Sequence, residues 1–162
     1  MSDDVLSVIP TDPHWQPGPE AGERAAALVT RLVSDGRAFA DDPDADDDPE
    51  IDVDWYAIPT MVDCGGNLER IGCPHCGASI DRQWYADLVE HHPDGFPTLA
   101  VTAPCCAAAT SLDALDHDWP CGFARFEIAV WNPGRVIWFG DDELSAVAEA
   151  LGHPVRQVRA HI

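Results

Sequence analysis

Cys73-Pro74-His75-Cys76-Gly77 and, further along the chain, Pro104-Cys105-Cys106 place four thiols in two tight groups. In a Cys-x-x-Cys turn, two thiolates can point at one metal ion, at about 2.3 Å from each sulfur when the ion is zinc. A glycine after the second cysteine adopts the positive φ that turns backbone amides towards the sulfurs. The spacing therefore predicts a structural Zn²⁺ site with four ligands, Cys73, Cys76, Cys105 and Cys106.

The fourth ligand is the least constrained of this set. Adjacent cysteines reach one ion only where the backbone turns sharply between them, and Ala107 favours such a turn less than glycine would. Cys64, which two glycines follow, is the first substitute for Cys106, and Cys121 and His117 come next. The remaining interpretation is a set of buried cysteines without a ligand, because free cysteine often packs as a small apolar residue.

The two cysteine groups resemble the metal knuckles of zinc ribbons. The whole chain also resembles small bacterial proteins with the pattern CPHCG…PCC…WPCGFARF…NP, a likeness that implies no activity. Zinc ribbons occur in nucleic-acid, adaptor and enzyme contexts. The resemblance therefore implies a metal-binding module and leaves its function open.

The Cys-Pro-His-Cys motif is also similar to the active site of thioredoxin-fold thiol oxidants, and residues 95–99 are similar to that family's cis-proline stretch. This resemblance implies a thiol redox protein that uses Cys73 and Cys76. Three departures oppose it. Residues 66–72 before the motif show no strand pattern, Gly77 interrupts any helix after it, and the segment before Pro97 is too short for the intervening elements.

The charge balance excludes several classes of partner. The 162 residues include 29 Asp and Glu against 9 basic residues, all of them arginine, for a formal net charge of −20. Because nucleic-acid binding gains most of its affinity from cations at phosphates, we expect no DNA or RNA partner. Anionic membranes are disfavoured for the same reason. A basic protein is the partner that this charge suits. The alternative is that the acidity carries no function, because a composition without lysine and rich in Ala, Asp and Arg is typical of GC-rich coding.

The chain carries no recognisable export or membrane signal. Met1-Ser2-Asp3-Asp4 lacks a basic n-region and a long apolar h-region, so we expect no signal peptide. No stretch approaches the roughly eighteen apolar residues of a spanning helix. We therefore expect a cytoplasmic protein, in which the six cysteines stay reduced or bind metal.

Apolar periodicity predicts the same order of elements on either side of the cysteine region. Strand, helix and strand are predicted at 5–9, 20–34 and 51–57, and again at 125–130, 141–151 and 157–162. Gly36 is the predicted stop of the first helix, and within the cysteine region Asp81 is the predicted cap of a helix that continues through His91. This order predicts an α+β fold with a ferredoxin-like β-α-β-β-α-β core and a zinc-ribbon-like insertion in its central hairpin. The predicted core comprises 1–60 and 119–162, the inserted zinc-binding module 61–118, and an acidic mobile loop 41–50.

One face of the sheet in such a fold lacks helices. Side chains two apart on a strand share a face, and the outward positions of the predicted strands are polar. They are Asp52, Asp54 and Tyr56 on one strand, Arg125 and Glu127 on the next, and Gln157, Arg159 and His161 on the last. We therefore expect the candidate partner-binding residues to project from one exposed face; they are Tyr56, Arg125, Arg159 and His161.

These patterns together predict a non-enzymatic, zinc-stabilised protein-interaction module, such as an adaptor, an inhibitor or an immunity-type binder of a basic protein. One alternative is an enzyme that uses the polar sheet face, with the zinc only structural. A second alternative is a thiol redox protein that uses Cys73 and Cys76. The sequence contains no HExxH motif, nucleophile elbow, phosphate loop or dinucleotide-binding glycine motif, so no catalytic residue is predicted.

Overall fold

The computed structural model describes residues 3–43, 46, 48–62, 69–119 and 121–162. Within these ranges the chain is a mixed α/β protein with three α-helices and a four-stranded antiparallel sheet. The elements in chain order are β1 (Asp4–Pro10), α1 (Pro19–Phe39), β2 (Glu50–Val62), β3 (Ile71–Gly72), α2 (Arg82–Glu90), β4 (Ala100–Thr102), β5 (Ala109–Ser111), a 3₁₀ turn (Leu112–Ala114), β6 (Asp116–His117), β7 (Gly122–Trp131), α3 (Asp141–Leu151) and β8 (Val155–His161).

The large sheet has the strand order β2–β7–β1–β8, and each neighbouring pair is antiparallel. β1 and β2 are therefore parallel to each other, with β7 between them, and β7 and β8 are parallel with β1 between them. Parallel strands need a crossover connection. α1 connects the first parallel pair and α3 the second, and the two helices pack against each other on one face of the sheet.

The main hydrophobic core lies between this sheet and the two helices. Leu6 and Val8 of β1 and Ile128 of β7 are at most 1% exposed. They cluster with Val29 of α1 and Val147 of α3. Burial of each such side chain stabilises the fold by about 1.5–3 kcal/mol. Apolar packing across many residues therefore holds the sheet and helices together.

α1 continues past Gly36, at which the sequence analysis ends the helix. The Ala40 amide donates to the carbonyl of Gly36 (3.1 Å), so the helical hydrogen bonding continues through this position. A Cβ atom added to Gly36 would lie 2.9 Å from Val136. The glycine therefore permits a close approach between the helix and a neighbouring segment, and the predicted helix end is wrong.

β8 presents its polar residues to the opposite side from the one predicted. Arg159 pairs with Leu6 across β1, and it therefore lies on the helix side of the sheet. Val158, the preceding residue, is fully buried with Ile9 and Cys121 on the other side. The expectation that Arg159 projects from a helix-free face is wrong. Residues that precede β7 pack against the side of β8 that faces away from the helices. They make the apolar contacts that the sequence pattern predicts between β8 and the helices.

A second, smaller core lies in the segment between β2 and β7. Phe96 and Leu112 are at most 2% exposed and cluster with Tyr85 of α2. The strands here are short, with β3 paired to β6 and β4 paired to β5. Asp81 begins α2 by accepting a hydrogen bond from the Gln83 amide (2.9 Å), which confirms the predicted helix cap.

The predicted acidic loop at 41–50 lies only partly within the described residues. Asp42 is buried in this segment, and its carboxylate accepts a hydrogen bond from the Arg135 amide (2.8 Å). The start of the segment is thus anchored to the chain after β7. The mobility predicted for the rest of the loop stays a prediction.

Candidate metal centre

The first cysteine pair lies in a tight turn that follows β3. The Cys73 amide donates to the carbonyl of Ala78 (2.9 Å), and the Gly77 amide donates to the carbonyl of Cys73 (3.0 Å). Gly77 has a φ of 72°, a left-handed conformation that glycine adopts without steric cost. These bonds close the turn and bring Cys76 next to Cys73.

The second cysteine pair lies in a turn with the same hydrogen bonds, between β4 and β5. The Ala103 amide donates to the carbonyl of Ala108 (2.9 Å), and the Ala107 amide donates to the carbonyl of Ala103 (2.8 Å). Ala107 has a φ of 60°. This conformation costs a residue with a Cβ atom about 1–2 kcal/mol. The second turn therefore adopts the shape of the first although alanine occupies the glycine position.

The match between the turns explains how adjacent cysteines reach one centre. Counted from the first residue of each turn, Cys106 corresponds to Cys76, and Ala103 corresponds to Cys73. The second turn thus lacks a sulfur at its first position. Cys105, in the place that His75 occupies in the first turn, supplies that sulfur instead. The Cys105-Cys106 pair is therefore a variant of the Cys-x-x-Cys arrangement.

The sulfur atoms of all four cysteines lie within 4.8 Å of one another. The Sγ atoms of Cys73 and Cys106 are 3.7 Å apart, and those of Cys76 and Cys105 are 3.4 Å apart. A tetrahedral ion with bonds of about 2.3 Å would separate its sulfurs by about 3.8 Å. Cys73 is buried, whereas the other three side chains are exposed. The group therefore has the size of a four-thiolate metal site, and it lies at the surface.

The thiols of this group differ in acidity. A hydrogen bond from the Cys76 amide lowers the pKa of Cys73 to about 6. Hydrogen bonding with the Cys76 sulfur raises the pKa of Cys105 to about 12. The Ala108 amide lowers the pKa of Cys106, but desolvation and the neighbouring sulfurs outweigh it and leave that pKa raised. Cys73 is therefore more acidic than Cys105 and Cys106, and a metal ion would displace protons from the latter two.

The substitutes that the sequence analysis considered for Cys106 lie elsewhere. The Sγ atom of Cys121 is 3.8 Å from the Tyr85 hydroxyl, in the interior. Nε2 of His117 is 3.5 Å from the same hydroxyl, and burial lowers the pKa of this imidazole. Cys106, and neither Cys121 nor His117, completes the described sulfur group. Cys64 lies outside the described residues.

The candidate partner-binding arginines lie in separate places. The side chain of Arg159 is 11% exposed, and its guanidinium donates to the carbonyl of Ile137 (2.8 Å) on the helix side. The Arg125 guanidinium donates instead to the carbonyls of Tyr56 and His14 (3.3 Å each). Both groups are thus engaged with backbone carbonyls. Arg125 and Arg159 therefore do not share the exposed face that the sequence predicts.

His161 lies at the edge of the sheet and is exposed. Its Nδ1 atom is 3.1 Å from Asp4, and the guanidinium of Arg159 is 3.6 Å from the same carboxylate. His161 and Arg159 therefore share a side, as their spacing predicts, but Asp4 lies between them. One carboxylate thus connects two of the candidate residues into a local charge cluster.

The helix-free face contains a pocket that the sequence analysis identified only in part. Asp52, Asp54, Tyr56 and Glu127 line it, and all four belong to the polar positions expected on that face. Ser7 and Trp131 also line this pocket, but the sequence analysis did not place them there. A serine inside the apolar strand Val5–Ile9 was the one signal that could have indicated a polar role for this strand.

The chain matches no protein-family model, no curated protein and no solved structure. The candidate metal-binding site therefore rests on the geometry of the four cysteines alone. Across the described ranges, no helix has both the length and the apolar character needed to cross a membrane.

Proposed function

We propose that the four cysteines bind one zinc ion in a zinc-ribbon-like module inserted into a ferredoxin-like core. Four thiolates at tetrahedral spacing are a ligand set typical of zinc. The two matched turns, each flanked by its own short strand pairing, support the ribbon interpretation. The order β2–β7–β1–β8, with two crossover helices on one face, supports the ferredoxin-like core.

Zinc has a structural role in this proposal. Four protein ligands leave no open coordination position for water or a substrate. Structural zinc supplies about 10–16 kcal/mol of apparent binding energy in small domains. The strands beside the two turns have only two or three residues, so a metal cross-link would add substantially to the apolar packing of the segment. Metal binding therefore stabilises the module against unfolding.

The protein as a whole acts, in this proposal, as a non-enzymatic protein-interaction module, such as an adaptor, an inhibitor or an immunity-type binder. Its partner is a basic protein, because a net charge of −20 steers cationic surfaces towards it. The same charge repels nucleic acids and anionic membranes. The cytoplasm is the proposed compartment, since it keeps thiols reduced.

The composition of the pocket on the helix-free face is the observation that carries the binding role. Among the described residues, its lining includes three carboxylates and no histidine, lysine or arginine. Enzyme sites that transfer protons or acyl groups usually bring a base, an acid and a stabilising positive group together. This pocket offers charge of one sign only. Such a lining favours recognition of a positively charged surface over the alternative of an enzyme on the same face.

Affinity capture from the native cell extract, followed by binding with purified components, tests this proposal. We expect the tagged, zinc-loaded chain to retain a basic protein at low salt and to release it as ionic strength rises. The purified pair should bind in the same salt-dependent way. Retention of an acidic partner, or turnover of a small molecule by the purified chain, would contradict the binding role.

One observation favours the thiol redox alternative as a second candidate function. The pKa of Cys73 is lowered to about 6, and a lowered thiol pKa is typical of redox-active Cys-x-x-Cys motifs. Bound zinc would occupy both sulfurs of the motif and block this chemistry. Isolation of the chain without metal and with a Cys73–Cys76 disulfide would therefore favour the redox function and remove the zinc proposal.

A further inference from the structure

The pocket on the helix-free face has a volume of about 260 Å³. Its walls come from Ser7 of β1, Asp52 and Asp54 of β2, and Glu127 and Trp131 of β7. The strand pairing places these side chains on the side opposite to the residues that pack on the helices. Pockets for drug-sized ligands measure about 300–1,000 Å³. This pocket therefore suits a smaller group, of the size of one amino-acid side chain.

Three carboxylates face this pocket without a compensating cation. Glu127 accepts hydrogen bonds from the hydroxyls of Ser7 (2.6 Å) and Tyr56 (2.8 Å). Asp52 accepts one from the indole of Trp131 (2.8 Å). Among the described residues, no arginine or histidine forms an ion pair with a carboxylate of the pocket. Neutral donors thus orient Glu127 and Asp52 and leave their charge available to a ligand.

Two of these carboxylates are placed unfavourably for the stability of the sheet. Asp54 lies directly opposite Glu127 on the adjacent strand. Like charges in directly opposed positions destabilise a sheet. Burial and the negative charge of Glu127 also raise the pKa of Tyr56, so its hydroxyl stays a neutral donor. Natural sequences tolerate such local conflicts mainly at functional sites. A bound cation would relieve the repulsion between Asp54 and Glu127.

The carboxylates of the pocket do not converge as the ligands of a metal ion do. Among the described residues, only the cysteine group has three or more potential ligand atoms within 4.8 Å of one another. The acidic charge of the pocket is therefore spread along its wall. An organic cation matches this distribution better than a metal ion, because its separate N–H groups can reach several carboxylates at once.

Apolar and aromatic surface completes the pocket. Val5, Ala129 and Ala160 form a small buried cluster at its base, against which Trp131 packs. An apolar base can contact the alkyl stem of a long cationic side chain. The ring faces of Trp131 and Tyr56 can attract the cationic end. The pocket thus combines the two surfaces that a stem and a charged head require.

We propose that this pocket binds a guanidinium or ammonium group on an alkyl stem, namely an arginine or lysine side chain of a partner protein. The inference rests on the proposed function, because it identifies the subsite at which the basic partner is recognised. Asp54 and Glu127 bind the charged head, and the apolar base contacts the stem.

Small probes test the pocket directly. N-acetyl-arginine amide and N-acetyl-lysine amide are titrated into the zinc-loaded full chain, and the indole N–H resonance of Trp131 is followed by NMR. We expect saturable shifts, and binding at least about tenfold weaker for the neutral analogues N-acetyl-citrulline amide and N-acetyl-norleucine amide. Absence of binding by the charged probes, or equal binding by the neutral ones, would overturn the proposal.

Matched variants separate the pocket from the general acidity of the chain. Asp54→Asn and Glu127→Gln should each weaken the arginine probe about tenfold, since each removes one charged acceptor. Asp94→Asn and Asp113→Asn change the net charge equally at exposed positions outside the pocket, and they should leave the affinity within about twofold. An equal loss in these controls would show attraction by overall charge and defeat the assignment. The thermal midpoint of each variant confirms that it is folded.

Further outcomes distinguish this inference from the proposed function. If a basic partner binds wild type and Asp54→Asn equally, the pocket assignment fails and the proposed function stands. If the charged probes bind but no basic protein does, the proposed function fails, and with it the assignment to a partner's side chain. A Ca²⁺ titration that saturates the same Trp131 resonance and displaces the arginine probe would overturn the organic-cation assignment.

Discussion

The four-stranded sheet and the cysteine-bearing insert differ in what holds them together. The strands of the sheet have 7 to 13 residues, and two helices bury one face of it. The strands of the insert have 2 or 3 residues. Short pairings of this kind are marginal by themselves. The sheet therefore relies on apolar burial, whereas in our proposal a metal bound by the sulfur group also cross-links the two turns of the insert.

Metal removal should produce the largest effect and separate the two regions. Structural zinc contributes about 10–16 kcal/mol, comparable with the whole stability of a domain. We expect a strong chelator to unfold the insert while the sheet keeps its structure. Hydrogen exchange read by mass spectrometry should show loss of protection in β4 and β5 and continued protection in β1 and β7.

Readdition of zinc is the control for this experiment, because restored protection shows that metal loss was the cause. If β1 and β7 lose protection together with β4 and β5, the two regions form one cooperative unit. If neither region responds to the chelator, metal does not stabilise the insert and the comparison fails.

A pair of core substitutions should give the next largest effect. Phe126→Ala removes a fully buried ring from the sheet core, and Phe96→Ala removes a ring of similar burial from the insert. Each should cost about 3–5 kcal/mol. We expect Phe126→Ala to lower the thermal midpoint of the sheet whether or not zinc is bound. The free energy lost in Phe96→Ala should instead appear mainly as weaker zinc binding. If both variants respond to zinc in the same way, the sheet and the insert do not differ in their dependence on the metal.

The sequence predicts local features of both regions better than the arrangement of the sheet faces. The sulfur group and the Asp81 cap were predictable, since spacing and capping act over a few residues. The orientation of Arg159 was not, because it depends on Cys121 and other residues that cover the back of β8. The pocket is predictable in part only, since Ser7 of β1 reaches Glu127 of β7 through pairing between strands that lie far apart in the chain.

The two turns of the insert should respond in opposite directions to exchange of glycine and alanine. Gly77→Ala places a Cβ atom at a φ of 72°, where no atom lies within 4 Å, so the cost is conformational. Ala107→Gly relieves the same strain at a φ of 60°. We expect zinc affinity to fall by about 1 kcal/mol in the first variant and to rise by a similar amount in the second. Competition with a chromophoric chelator measures both, and changes of the same sign would show that the turns are not equivalent.

The smallest effect concerns the ionisation of Tyr56 on the sheet. Its pKa is raised by burial and by the charge of Glu127, above an ordinary value of about 10. The unfolded chain loses the Tyr56 proton at a lower pH than the folded chain does. The protonated hydroxyl therefore contributes fully to the free energy of unfolding below about pH 10, and this contribution is lost as the pH rises further. Glu127→Gln should lower the pH at which the phenolate absorbance of Tyr56 appears, and Tyr56→Phe identifies its signal. An unchanged titration would contradict the contact between these two side chains.

The metal content of the purified chain tests the central claim most directly. Elemental mass spectrometry of protein prepared without a chelator should find about one zinc ion per chain, in wild type and in the Cys121→Ser control. Serine variants of Cys73, Cys76, Cys105 and Cys106 should each lose most of the metal, because each removes one of four ligands. Wild-type protein without metal, or a Cys106→Ser variant that retains it in full, would contradict the four-sulfur site.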